Sequence, residues 1–338
     1  MIKIVRNIAV AYTAAALFSG VASAQSVDLT GAGATFPYPI YSKWFNDYAQ
    51  SSGVKINYQS IGSGGGIRQL SEQTVDFGAS DSPMSDQELA NAKGGPVLHF
   101  PTVMGAVVIT YNVPGIAKPL NLSGDVIADI FSGKITKWND AQIVAQNRGV
   151  SLPNSDILVV HRSDGSGTTY IFSDYLSTVS PSWSSSLGKG NEGVAGQVKQ
   201  TPGSVGYVEL AYAKQNKLPY ANVKNAAGRY VTPTIASVTA AAAGIKLPKN
   251  TDYRVSIVNA PGKDSYPISS MTWILAYQNQ PDRVKGEKLV NFLRWAYKNG
   301  ERSAESLDYA PLPPAIVAQL QSRLNTMTVA GTQVGAAR

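Results

Sequence analysis

Residues 159–170 read Val159-Val160-His161-Arg162-Ser163-Asp164-Gly165-Ser166-Gly167-Thr168-Thr169-Tyr170. The apolar start is typical of a buried strand, and the part from Gly167 onward is typical of a helix. The first N–H groups of a helix have no intrahelical partner and carry a partial positive charge, so that end favours an anion. Ser166 and Thr168 add hydroxyl donors, and Arg162 adds a permanently charged, forked donor. This junction between strand and helix therefore predicts an oxyanion site.

Two other glycine-rich stretches have similar chemistry. They are Gly31-Ala32-Gly33-Ala34-Thr35-Phe36-Pro37 and Ile61-Gly62-Ser63-Gly64-Gly65-Gly66-Ile67. Pro37 is suited to the first turn of a helix, which would place Thr35 at that helix's N-terminal end. The second stretch follows a predicted strand and precedes a helical pattern, with Ser63 as a hydroxyl donor. Each stretch alone is better explained as a tight loop with a helix cap, but three in one chain favour an anion site.

Asp81 lies in Asp76-Phe77-Gly78-Ala79-Ser80-Asp81-Ser82-Pro83-Met84. One interpretation is a helix cap or turn residue. The other is selectivity: an ionised carboxylate only accepts hydrogen bonds, so it favours an oxyanion that carries a proton, such as phosphate, over sulfate. Asp164 has the residue type to hold Arg162 in place as an ion-pair partner, although it is equally suited to a turn.

Short β-rich runs alternate with helical patterns along the chain, which is typical of the α/β class with mainly parallel sheets. The predicted strands are Lys55–Gln59, Val75–Ala79, Val103–Tyr111, Ile157–His161, Gly206–Glu209 and Ser269–Tyr277. The predicted helices are Pro37–Ser51, Gly66–Gln73, Ser85–Ala92, Gly167–Thr178, Gly193–Gln200, Val284–Asn299 and Pro314–Asn325. The tail after Thr328 is rich in small residues, and we expect it to be disordered.

The N-terminus has the pattern of a cleavable secretory signal peptide over residues 1–24. Lys3 and Arg6 precede an apolar run over Ile8–Val21, and Ala22-Ser23-Ala24 supplies small residues at the cleavage position. The run is shorter than the roughly 20 residues that a membrane span requires. We therefore expect an exported mature chain that begins near Gln25.

Composition narrows the possibilities further. The 338 residues include no cysteine, so disulfides, thiolate nucleophiles and thiolate metal sites are absent. This length exceeds the size at which one hydrophobic core usually stops growing, which predicts two domains. The net charge of +7 comes from scattered basic residues without an aromatic-interleaved patch, so we expect no nucleic-acid partner.

Enzymatic interpretations find little support in the motifs. The only histidines are His99 and His161, and no serine lies in a G-x-S-x-G elbow. Gly188-Lys189-Gly190-Asn191-Glu192-Gly193 has dinucleotide-binding spacing, but no clear strand precedes it and no acidic residue follows about 20 positions later, so we interpret it as a loop. No Walker-type sequence or clustered metal ligands occur, and we expect no cofactor and no metal.

The combined motifs resemble the periplasmic substrate-binding protein of the ABC-type phosphate importer. The resemblance lies in Gly31–Tyr41, Tyr58–Gly66, Thr74–Ser85, Arg162–Thr168, Gly203–Asn216 and Leu307–Pro313. It implies a two-domain hinged periplasmic-binding-protein fold in which each domain is a mainly parallel sheet flanked by helices and the ligand lies in the interdomain cleft. The connection from Trp183 to Gly188 is shorter than in well-known members, and His161 stands where another arginine is often found.

Carried onto this chain residue by residue, the resemblance also implies the site and the domains. The phosphate-binding positions are Thr35, Phe36 through its backbone, Ser63, Asp81, Arg162, Ser166, Gly167 through its backbone, and Thr168, with Asp164 supporting. Domain I comprises residues 25–100 and 266–338, and domain II comprises residues 101–265. The hinge is expected near Phe100–Thr102 and Tyr266–Ser270. The implied protein is a non-catalytic periplasmic monomer that binds inorganic phosphate and delivers it to the permease and ATPase subunits of an importer.

Two alternatives remain open at this point. One is a binding protein for another tetrahedral oxyanion such as sulfate or molybdate, against which Asp81 argues. The other is a secreted phosphate-releasing enzyme, because catalysis and binding use similar anion-stabilising groups. Neither an activated nucleophile nor a metal-ligand set for such an enzyme is evident.

Overall fold

The structure is a computed structural model that describes residues 29–116, 118–180, 191–245, 247 and 251–334. The predicted signal peptide, residues 1–24, and the short connection from Trp183 to Gly188 lie outside the described residues. Within the described ranges, no helix combines the length and the apolar character needed to cross a membrane.

The main sheet is built from strands that come from both ends and the middle of the chain. Its strands are β1 (Leu29–Gly33), β2 (Ile56–Ser60), β3 (Phe77–Ser80), β4 (Val97–Tyr111), β6 (Leu158–Val160), β7 (Ser204–Glu209) and β10 (Ser269–Tyr277). Within the described residues they form a seven-stranded sheet in the order β2-β1-β3-β10-β4-β7-β6. The outer pairs are parallel, whereas β10 and β4 run antiparallel to their neighbours in the middle of the sheet.

Strand β4 connects the two halves of this sheet. Residues 97–106 pair with β10, and residues 107–111 pair with β7. The register against β10 shifts beside Thr272 and Trp273, so Thr102 is an extra residue on β4 and forms a β-bulge. The strand predicted from the sequence began only at Val103, six residues after the observed start at Val97. Proline has no N–H to donate to a neighbouring strand, but the strand continues through Pro101 because the ladder of hydrogen bonds is already interrupted at the adjacent bulge.

Smaller strands form two further units. A three-stranded sheet contains β5 (Asn121–Leu122), β8 (Asn222–Lys224) and β9 (Tyr230–Val231), and a hairpin contains β11 (Thr328–Val329) and β12 (Thr332–Gln333). The expectation of disorder after Thr328 was wrong as far as residue 334. The Thr328 backbone is hydrogen-bonded to residues on either side of Asn279, which ties this end of the chain to the loop after β10.

The helices pack around the sheets. They are α1 (Tyr38–Ser52), α2 (Ser63–Ser71), α3 (Asp86–Ala90), α4 (Gly124–Phe131), α5 (Ala141–Gln146), α6 (Gly167–Val179), α7 (Asn191–Gln200), α8 (Leu210–Gln215), α9 (Ile235–Ala242), α10 (Arg283–Lys298) and α11 (Pro314–Leu324). Every predicted helix is present to within a few residues at its ends. Helices α4, α5, α8 and α9 were not predicted from the sequence.

Local sequence explains how these helices begin and which face they bury. Asp282 caps α10 by accepting a hydrogen bond from the Lys285 N–H, and the apolar face of α10 is buried. The Phe292 ring lies 5.4 Å from the rings of both Phe45 and Tyr48 of α1. Burial of each such side chain contributes about 1.5–3 kcal/mol, so this aromatic cluster holds α1 and α10 together at one side of the sheet.

Candidate functional site

The predicted binding residues come together at the carboxyl ends of strands. The segment from Ala34 to Pro37 follows β1, Ser63 opens α2 after β2, Asp81 comes directly after β3, and Gly167 opens α6 after β6. Strand β6 runs opposite to β1, β2 and β3, so the carboxyl ends of the two groups point toward each other where β4 passes from one half of the sheet to the other. Ligands bind outside the carboxyl ends of strands in α/β folds. The start of each helix also presents unpaired backbone N–H groups. The space between these opposed carboxyl ends therefore collects donors from separate parts of the chain.

Contacts join the loops around Ser63, Asp81 and Gly167. The Asp81 N–H donates to the Ser63 Oγ at 3.0 Å, and this hydroxyl donates to the Asp81 Oδ2 at 3.4 Å. A Cβ atom placed on Gly167 would lie 2.6 Å from the Cβ of Asp81, so only glycine fits at the start of α6. The Gly64 N–H donates to the carbonyl of Gly165 at 2.8 Å, which links the two glycine-rich loops directly.

Asp81 is a buried carboxylate, with 1% of its surface exposed. Its Oδ1 accepts a hydrogen bond from the Thr272 hydroxyl at 2.8 Å, and Thr272 lies at the bulge between β4 and β10. Burial raises the pKa of Asp81 to about 7, against the opposing effects of the Thr272 hydrogen bond and the Arg162 charge. The cap of α3 is Ser85, so the alternative assignment of Asp81 as that cap was wrong.

Arg162 is also buried, with 1% of its surface exposed. Its Nε and Nη2 donate to the two carboxylate oxygens of Asp164 at 2.8 and 2.7 Å, which is the bidentate geometry that suits a guanidinium. The remaining nitrogen, Nη1, is buried and has no hydrogen-bond partner among the described residues. A buried charged donor without a partner is costly, so this atom indicates a place where an acceptor binds.

Thr35 and Thr168 are bridged by a residue that the sequence analysis did not single out. The Asn191 side chain donates through Nδ2 to the Oγ1 of both threonines, at 2.8 Å each. Asn191 is fully buried at the start of α7, and it belongs to the stretch 188–193 that we interpreted as a loop. The asparagine beside glycines was the only local signal, because its partners lie far away in the sequence.

Three tyrosine hydroxyls hold the backbone of the first loop. They donate from Tyr58 to the Ala34 carbonyl (2.7 Å), from Tyr212 to the Thr35 carbonyl (2.6 Å) and from Tyr309 to the Phe36 carbonyl (2.6 Å). In a trans peptide the carbonyl and the following N–H point in opposite directions. Tyr212 therefore fixes the direction of the Phe36 N–H, which is the group predicted to bind the anion. The Phe36 ring itself is buried in the core.

Ser166 behaves differently from the other predicted residues. It is only half-buried, and its Oγ accepts a hydrogen bond from the Thr169 N–H at 3.0 Å, as an N-cap of α6 does. A serine hydroxyl that accepts this bond keeps its own proton available. Among the described residues, no group of three histidine or acidic side chains is placed to hold a metal ion.

Comparison with known proteins agrees with this architecture. The sequence profile described as the PBP superfamily domain matches residues 19–299, which gives the class of the protein. The "Phosphate-binding protein PstS" of Xylella fastidiosa (strain 9a5c) is 46% identical over 312 residues, covering 88% of this chain and 85% of the relative. The protein of the same name from Haemophilus influenzae (strain ATCC 51907 / DSM 11121 / KW20 / Rd) is 45% identical over 320 residues, covering 90% and 94%. The chain belongs to the PstS family of phosphate-binding proteins.

A solved structure confirms the fold independently. A high-affinity periplasmic phosphate-binding protein bound with phosphate superposes with a TM-score of 0.74, at 23% identity, covering 91% of this chain and 96% of that chain. The two-domain α/β fold expected from the sequence is thus confirmed, and the two relatives named above confirm the resemblance to the phosphate-binding family.

Proposed function

We propose that this chain captures inorganic phosphate and delivers it to an ABC-type phosphate importer. The observation that carries the proposal is the buried Nη1 of Arg162, a charged donor without a hydrogen-bond partner among the described residues. Asp164 already occupies the other two donating nitrogens of the side chain. The free donor is therefore held in a fixed direction, as binding of an oxyanion requires. Membership of the PstS family supports phosphate as that anion.

Asp81 supports phosphate over a fully deprotonated anion. The carboxylate accepts hydrogen bonds from the hydroxyls of Thr272 and Ser63. An acceptor of the ligand that faces this carboxylate in a closed site costs several kcal/mol. A protonated phosphate oxygen donates to Asp81, whereas sulfate has no proton to donate near neutral pH. The proposed site therefore combines donors that bind any oxyanion with one acceptor that selects for a proton.

The proposed ligand shell keeps the residues predicted from the sequence. It comprises Thr35, the Phe36 N–H, Ser63, Asp81, Arg162, Ser166, the Gly167 N–H and Thr168, with Asp164 supporting. We assign residues 25–100 and 266–338 to domain I and residues 101–265 to domain II. Phosphate contacts from both domains would stabilise the closed form over the open form, with the hinge near Phe100–Thr102 and Tyr266–Ser270.

The proposed mechanism is binding without catalysis. Asp81 and the hydroxyl groups hold the anion, and no step requires a covalent bond to form. The protein would act as a monomer in the periplasm after removal of residues 1–24, and closure around phosphate would be the signal read by the permease and ATPase subunits. The periplasmic location of the solved relative bound with phosphate supports this assignment.

Calorimetric titration of residues 25–338, stripped of bound anion, tests the proposal. We expect tight one-to-one binding of phosphate and negligible binding of sulfate. Equal affinity for both anions would favour a general oxyanion-binding protein, and absence of phosphate binding would overturn the proposal. Turnover of a phosphomonoester by the same purified protein would contradict the non-catalytic assignment.

A further inference from the structure

Asn191 occupies a position where its amide orientation is determined by its neighbours. Its Oδ1 accepts a hydrogen bond from the backbone N–H of Glu209 at 3.0 Å. Because an N–H can only donate, the oxygen must face Glu209 and the Nδ2 must face the two threonine hydroxyls. Both Nδ2 contacts are 2.8 Å long, and the whole side chain is buried. The direction of hydrogen bonding along this chain of groups is thus fixed.

This direction determines what the two hydroxyls can do. A hydroxyl has one proton to donate and two lone pairs that accept. Thr35 and Thr168 each use a lone pair to accept from Asn191, and the Thr35 Oγ1 also lies 3.4 Å from the Asn191 backbone N–H. Among the described residues, neither hydroxyl donates a hydrogen bond. Their protons are therefore directed to partners other than Asn191.

We propose that Asn191 is a positioning residue that directs the hydroxyl protons of Thr35 and Thr168 toward the bound anion. The inference rests on the proposed function, in which both hydroxyls contact phosphate. On this side of the site, Arg162 and the two hydroxyls then all donate to phosphate oxygens. The protonated phosphate oxygen is directed to Asp81. Asn191 thus disfavours the ligand proton on the side of the two threonines, although it does not touch the ligand.

If Asn191 only filled space, the phosphate affinities of its variants would rank in a different order from the one that our inference predicts. Asn191→Asp keeps the size of the side chain, whereas Asn191→Ala leaves a cavity, so a packing role predicts a smaller loss for Asp. Our inference predicts the reverse. An aspartate oxygen in place of Nδ2 accepts from Thr35 and Thr168 and turns both protons away from phosphate. We expect phosphate affinity to fall about 10-fold in Asn191→Ala and about 100-fold or more in Asn191→Asp, in line with lost hydrogen bonds to a charged ligand.

The added charge of Asn191→Asp also repels an anion, so a double-mutant cycle separates the two effects. Both Asn191 variants are combined with Thr35→Val and Thr168→Val, which remove the hydroxyls but keep the side-chain shape. If Asn191 acts through the hydroxyls, Asn191→Ala changes affinity by less than about 3-fold in this background. In the same background, the additional loss of phosphate affinity in Asn191→Asp relative to Asn191→Ala should fall to the part that the negative charge causes.

The experiment is calorimetric titration of each mature variant with inorganic phosphate, with thermal unfolding of the anion-free proteins as a check of folding. Higher affinity of Asn191→Asp than of Asn191→Ala, or an equal cost of Asn191→Ala in both backgrounds, would overturn the inference while leaving phosphate binding intact. If Asn191→Ala does not fold, the cycle with the equally sized Asn191→Asp gives the same decision. A wild-type protein that binds no phosphate would overturn the proposed function, and this inference with it.

Discussion

The Thr272 hydroxyl donates to the Asp81 carboxylate at 2.8 Å, at the bulge where β4 and β10 change register. The bulge places a strand residue beside the binding loops, as bulges near functional sites commonly do. Thr102, the extra residue of the bulge, is held by hydrogen bonds to the Thr272 carbonyl and to the Tyr41 hydroxyl. A single hydrogen bond, from Thr102 to Thr272, therefore connects the expected hinge segment Phe100–Thr102 to the residue that supports Asp81.

Thr272→Val should weaken phosphate binding through Asp81. Loss of a hydrogen bond to a buried charged group costs about 1.5–3 kcal/mol, so we expect a fall in affinity of about 10- to 150-fold at pH 8 and a higher pKa of Asp81. Calorimetry gives the affinity, and carboxyl carbon NMR gives the pKa. Thr272→Ser is the matched control because it keeps the hydroxyl. Equal affinities of the valine and serine variants would contradict this role for Thr272.

Selectivity between phosphate and sulfate should depend on pH. The pKa of Asp81 is about 7 because burial disfavours its charged form. Below that pH the protonated carboxyl becomes a donor, so sulfate affinity should rise as pH falls from 8 to 5, by about 10-fold or more on the scale of one charged hydrogen bond. Titrations with each anion at several pH values measure this effect.

Asp81→Asn supplies the control for the pH effect. Its amide can donate at every pH, so the gap between phosphate and sulfate affinity should narrow at pH 8, and the Asp81-dependent part of the pH trend should disappear. An unchanged selectivity in this variant would exclude Asp81 as the group that recognises the ligand proton.

The free protein should also become less stable as pH rises. An aspartate whose folded-state pKa is about 7, above its ordinary value of 3.8, binds its proton more tightly when folded. Its contribution to stability is fully present below about pH 4 and is lost as pH rises through 7. At pH 8 and without phosphate, Asp81→Asn should therefore be more stable than wild type by up to about 4 kcal/mol, at 1.36 kcal/mol per pKa unit. Urea unfolding at pH 4.5 and 8 measures the difference, and a constant difference would contradict the assignment.

The parts of the site that were predictable have local signals. The short motifs at the ends of strands contain the glycines, the hydroxyl groups, Arg162 and Asp81. Each motif can be interpreted by itself, because a helix N-terminus is a general anion-binding site. By contrast, Asn191 and Tyr212 contact Thr35 from positions 156 and 177 residues away in the sequence, and no local pattern links them.

Strand β1 was not predicted because its glycines are typical of a loop. One of them, Gly31, in fact makes room for the Phe77 ring, and a Cβ there would clash with that ring, whose nearest atom is Cζ.

Arg162→Ala should weaken phosphate binding by about 2–5 kcal/mol, the range observed when one partner of a buried charged pair is lost. The variant removes the Nη1 donor and also leaves Asp164 without its bidentate partner. Arg162→Lys keeps the charge but not the fork, so we expect it to recover only part of the affinity. Calorimetry with folding checked by circular dichroism measures both variants. Near-wild-type affinity of Arg162→Ala would place this side chain outside the ligand shell.

Tyr212→Phe should weaken phosphate binding without changing the selectivity between phosphate and sulfate. Its hydroxyl donates to the Thr35 carbonyl, so its loss frees the peptide whose N–H belongs to Phe36. One neutral hydrogen bond contributes about 0.5–1.5 kcal/mol, so we expect phosphate affinity to fall about 3- to 10-fold while sulfate remains equally excluded. The amide signal of Phe36 should also shift less on addition of phosphate than it does in wild type. Tyr230→Phe, at an exposed tyrosine of β9, is the matched control. A loss of selectivity in Tyr212→Phe would show instead that this tyrosine acts on Asp81, because orientation of the Phe36 N–H affects all oxyanions alike.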